Sequence, residues 1–134
     1  MKTTKRNIKF AYLYRDASNY KQHGNVVFTI PQRFNTDNLD HRLRQAMMVD
    51  STFIADQVRV PNLFLFDTMP MNEDDHCLHE FESLEIVNER PNDPHERSIV
   101  EFVREVERAA LQGWEGFVPS PTAITPSERF RFLV

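Results

Sequence analysis

Glycine is scarce, at three in 134 residues. A loop that cradles phosphates needs backbone freedom at several neighbouring positions, and no such cluster exists. Nucleotide binding by a P-loop or a Rossmann turn is therefore not expected. Cysteine occurs once, as Cys77, so no intrachain disulfide can form and a reducing, cytoplasmic compartment fits best. No apolar run approaches the roughly 20 residues of a membrane span, and no signal-peptide core follows Met1, so no membrane association is expected. Positive charge is also short. Sixteen Lys and Arg stand against twenty Asp and Glu, a net charge of −4. A nucleic-acid binder usually carries the opposite surplus. Lys2, Lys5, Arg6 and Lys9 read more simply as a solvated chain end. No Gly-x-Ser-x-Gly elbow and no His-Glu-x-x-His pair occurs.

What is present suffices for one domain. Hydrophobic residues make up 40% of the chain and include eleven Phe, the composition of a chain that folds. Ile8, Phe10, Tyr12 and Tyr14 alternate, as in a strand with one apolar face. Val26-Val27-Phe28-Thr29-Ile30 is a second strand, stopped by Pro31. The connection over 16–25 is long for a tight hairpin. Residues 81–88 form a third strand, with Leu84 and Ile86 on one face and Phe81 on the other. Phe53-Ile54 and Val58-Arg59-Val60 are short buried pieces.

Two helices are predicted. One covers 37–48, capped by Thr36 and lined by Leu39, Leu43, Ala46 and Met47. The other covers 94–112, capped by Asp93 with Pro94 first and Glu96 completing a capping box. Ile99, Phe102, Val103, Val106 and Ala110 form its apolar stripe, and Gly113 ends it. The expected fold is a single α+β domain over 1–134, with a three- to four-stranded, mainly antiparallel sheet and both amphipathic helices on one face. Residues 1–7 form a flexible end, 8–112 the core, and 113–134 a Pro-containing apolar tail.

Two stretches concentrate reactive side chains. The first holds Asp16, Asn19, Tyr20, Lys21 and His23. On a loop between strands these could bind a ligand, with Lys21 beside Tyr20 meeting an anion. Asp and Asn also cap their own turns, so a self-capped turn explains the same residues. The second holds Asp75, His76, His79 and Glu80. Histidine with carboxylates can do general acid–base work. His76, His79 and Glu80 could also ligate a divalent metal on a helix, but on a strand His76 and His79 would point to opposite faces. The plainer alternative is a polar loop feeding a strand. Cys77 reads as a buried, inert thiol. No cofactor is expected.

The tail carries Trp114, Phe117, Ile124, Phe130, Phe132 and Leu133. It packs on its own domain, or it meets a protein partner or a second copy of the chain. The alternation of Arg129 and Arg131 with Phe130 and Phe132 suits an added edge strand.

Tyr14-Arg15-Asp16-Ala17-Ser18-Asn19-Tyr20-Lys21 with Gly24 and Val26-Val27-Phe28, and Asp75-His76-x-x-His79-Glu80-Phe81 with Leu84-Glu85, resemble a group of small, uncharacterised bacterial proteins. The resemblance spans about Phe10 to Glu85. It implies a bacterial origin and transfers no catalytic residue. The expected function is a binding or protein-interaction module. The alternative is a hydrolase-type enzyme built on Asp75, His76, His79 and Glu80, with or without a divalent metal.

Overall fold

The computed structural model describes residues 6–16, 18–64, 76–117 and 131–133. The strands are β1 (Asn7–Arg15), β2 (Lys21–Thr29), β3 (Thr52–Phe53), β4 (His79–Val87), β5 (Glu115–Phe117) and β6 (Arg131–Leu133). The α-helices are α1 (Leu39–Ala46) and α2 (Ile99–Gln112). Four strands form an antiparallel sheet in the order β2-β1-β4-β3, and β5 and β6 pair separately. The class is α+β.

β1 is an interior strand, paired along its length with β2 and β4, and it can be apolar almost throughout. Ile8, Phe10, Tyr12 and Tyr14 are buried on the inner face, and Leu13 is buried on the outer one. β2 pairs with β1 from Asn7↔Thr29 to Arg15↔Lys21. The hairpin loop is thus residues 16–20, not the longer connection the sequence suggests. Lys21, Gln22, His23 and Asn25 are exposed strand residues, and their polarity hides them from a hydrophobic pattern.

β4 contains a bulge. Tyr12 faces Phe81 and Ala11 faces Ser83, so Glu82 is the extra residue. Cross-strand partners share a face. The bulge therefore turns Leu84 and Ile86 to the face that Phe81 occupies, correcting the expectation of opposite faces. His79 joins them opposite Tyr14.

The core stacks on these inward residues. Phe10 meets Phe81 at 5.1 Å and Phe102 at 4.8 Å between ring centroids, and Phe28 stacks on Phe102 at 4.5 Å. Leu39 and Leu43 of α1 and Ile99, Phe102, Val103 and Val106 of α2 complete the same buried cluster. Each large side chain removed from water contributes about 1.5–3 kcal/mol.

Both helices begin later than their sequence signals. α1 starts at Leu39 after Asn38, with no side-chain cap bond, while the Thr36 carbonyl accepts from Leu39 N–H. α2 starts at Ile99. Ser98 and Glu101 form its capping box, each accepting from the other's backbone N–H. The Asp93 carboxylate is unavailable as a cap because Arg97 takes it. Arg97 Nε and Nη2 donate to Asp93 at 2.9 and 3.0 Å, and Arg97 N–H adds a third bond at 2.9 Å. The same guanidinium donates to the Val58 carbonyl at 2.7 Å and the Arg59 carbonyl at 2.9 Å, and it lies over the Phe28 and Phe102 rings. Glu96 has φ 53°, which stops a helix from running through 93–97.

Two covers finish the sheet. Residues 60–64 cross its inner face, where Tyr12 Oη donates to the Pro61 carbonyl at 2.6 Å. Gly24 lies beneath Leu63, and a Cβ there would stand 2.8 Å from Leu63 Cδ2. Asn92 and Ser98 cover part of the β2 edge, at Val27 and Thr29. Among the described residues, no helix is long and apolar enough to cross a membrane.

Candidate functional site

The loop at the end of the hairpin is built by its own side chains. The Asp16 carboxylate accepts from Ser18 N–H and Tyr20 N–H, both at 2.9 Å. Its backbone N–H donates to the Tyr20 carbonyl, and its carbonyl accepts from Asn19 N–H. Asn19 takes the left-handed conformation at φ 70°, which Asn tolerates better than most residues. Arg15 donates to Asn19 Oδ1. Asp16 and Asn19 are therefore occupied within the turn, while Tyr20 stays 55% exposed.

Arg15 also ties this loop to the second stretch. Its Nε donates to Glu80 Oε2 at 2.9 Å, and its Nη2 to Glu80 Oε1 at 3.3 Å. The two polar stretches thus share one end of the sheet. Beside them His23 meets Glu82 at 3.0 Å across the outer face. Both contacts are partly exposed, so solvent screening leaves them weak.

His79 does not share a cleft with Tyr20 and Lys21. His79 is fully buried on the inner face among Tyr12, Tyr14, Phe53 and Phe64. Its Nε2 accepts from Leu63 N–H at 2.9 Å, which leaves the ring proton on Nδ1. Burial pushes the imidazole pKa down to about 4. The Cys77 backbone opposes this shift, and nearby His76 adds to it. His79 is thus a neutral, wedged-in side chain that holds residues 60–64 against the sheet.

His76 precedes β4. Its Nδ1 accepts from Leu78 N–H, its carbonyl accepts from Tyr14 Oη at 2.8 Å, and its ring lies 5.2 Å from that of Tyr14. Glu80 points to the outer face, away from His79, because neighbours on a strand alternate. His76, His79 and Glu80 do not converge, and no group of three metal-ligating side chains occurs among the described residues. Asp75 lies outside the described residues. Cys77 is buried, packed with Ile54 in a small satellite cluster. Trp114 packs on its own domain, with Nε1 donating to the Ala46 carbonyl at 3.0 Å. β6 pairs with β5 rather than adding to the main sheet. Residues 118–130, with Ile124 and Phe130, lie outside the described residues.

The remaining open chemistry is backbone. Val27 exchanges both its N–H and its C=O with Asn92, so its peptide groups point away from β1. Antiparallel pairing alternates, so Lys21, His23 and Asn25 direct their N–H and C=O outward too. No described residue bonds them. A run of polar residues leading into an apolar strand was the signal for this edge. It was hidden because polar strand residues resemble a loop. No family model, curated protein or solved structure matches the chain.

Proposed function

We propose that this protein is a binding module that takes an extended segment of a partner protein along the outer edge of β2. The half-covered edge carries the proposal. Asn92 pairs with Val27 and Ser98 bridges to Thr29, but residues 21–25 offer the same row of donors and acceptors to solvent. An added strand gains affinity from main-chain bonds and specificity from flanking side chains. Tyr20, Lys21 and His23 flank this row, and Lys21 and Tyr20 suit a segment with a carboxylate beside an apolar residue. The hydrolase alternative gains no support from the described geometry, since the acceptor nitrogen of His79 is occupied and Glu80 lies on the other face.

Selection of short peptides displayed against the full chain, followed by amide-shift mapping, tests the proposal. Bound peptides should move the Lys21, His23 and Asn25 amides. Asn25→Pro deletes an outward N–H while leaving the β1 ladder intact, so it should abolish binding and keep the fold. Peptides that bind Asn25→Pro as well as the parent chain would defeat it.

A further inference from the structure

At the opposite end of the sheet, a groove of about 310 Å³ opens between the start of β1, the end of β2 and the end of β4. Ile30, Pro31, Phe34 and Ile86 supply its apolar lining, and Arg6, Arg33 and Thr36 its polar lining. Its size is at the lower end of small-ligand sites.

Three observations mark it out from a surface irregularity. First, neither Arg6 nor Arg33 has a carboxylate partner among the described residues; Arg90, Arg104 and Arg108 share that state, but Arg6 and Arg33 are the two that line one concavity. On a chain with net charge −4, two unneutralised guanidiniums lining one concavity form a local positive field. Second, Arg33 sits at φ 61° in a turn closed by Phe34 N–H donating to the Pro31 carbonyl at 3.1 Å. That is the third position of a turn where Gly or Asn is favoured. Arg33 is exposed, so packing does not explain why an arginine is kept in a strained conformation. Third, Ile86 is a large apolar side chain left 38% exposed, and it lies in this groove.

We infer that the groove binds a small phosphomonoester with a short apolar body. The phosphate, at about −1.5 to −2 charge, would meet Arg6 and Arg33, whose forked donors match its oxygens. The body would lie on Ile30, Phe34 and Ile86. The inference does not depend on the β2 edge, which is at the other end of the sheet.

Calorimetric titration of the full chain with hexyl phosphate, hexanol and inorganic phosphate tests it. Hexyl phosphate should bind one to one, with hexanol and inorganic phosphate each at least about tenfold weaker. Arg6→Gln with Arg33→Gln should weaken hexyl phosphate by at least about tenfold. Arg33→Gly relieves the backbone strain, so it should raise the melting temperature while still weakening binding. That combination separates a ligand-binding arginine from a structural one. Three results would overturn the inference: no binding of hexyl phosphate, inorganic phosphate binding as tightly as the ester, or full binding by the folded double variant. Sedimentation with phosphatidic acid vesicles without binding to soluble hexyl phosphate would place the anion on a lipid surface and overturn the small-molecule assignment.

Discussion

Replacing Arg97 with Ala should be among the most damaging single changes in this chain, and the structure says by how much. The guanidinium is buried, and it satisfies the Asp93 carboxylate together with the Val58 and Arg59 carbonyls. It also approaches Glu105 at 3.3 Å. Removing one member of a buried pair costs about 3–5 kcal/mol, because the other charge is left unsolvated. Against a total stability of about 5–15 kcal/mol, and at about 4 °C per kcal/mol for a chain of this size, the melting temperature should fall by about 12–20 °C at pH 7. Arg97→Lys keeps the charge but not the fork, so it should fall in between.

The loss should also depend on pH. Burial raises the Asp93 carboxyl, but Arg97 outweighs that and holds it below its ordinary value of 3.8. In the parent chain this carboxylate stabilises the fold above 3.8 and ceases to do so as pH falls through the lowered value. In Arg97→Ala the effect of burial is unopposed by the guanidinium, the carboxyl rises above 3.8, and protonation relieves the defect. The gap between the two melting curves should therefore narrow from pH 7 to pH 4. Circular-dichroism melts at both pH values measure it. A loss below about 1 kcal/mol, or a gap that does not change with pH, would refute the clamp as described.

Three further outcomes are expected. His79 is held neutral well below its ordinary value of 6.5, at about 4. The parent chain should thus lose up to about 3 kcal/mol as pH falls from 6.5 towards 4, and His79→Leu should flatten that slope, with an NMR titration of the ring as the direct check. Gly24→Val should cost about 1–3 kcal/mol in urea unfolding through its clash with Leu63, and Leu63→Ala in the same chain should recover part of that loss. Trp114→Phe keeps the ring but loses the bond to the Ala46 carbonyl, at about 1 kcal/mol in the same assay.

The sequence by itself determined the class of fold and the core. Alternating apolar residues in β1 and a helical stripe from Ile99 to Val106 have only one way to leave water, and the structure buries them together. The Asp16 turn was legible too, because an Asx side chain reaches the backbone two to four residues on without help from elsewhere. Tertiary structure decided the rest. Asp93 has the local signature of a helix cap and instead holds an arginine that reaches Val58 and Arg59. The bulge at Glu82, the burial of His79 under residues 60–64, and the placing of Arg6 and Arg33 around one groove all depend on segments far apart in the chain. A local pattern reports what a residue can bond. Which partner it bonds is decided by the register and crossing of distant segments.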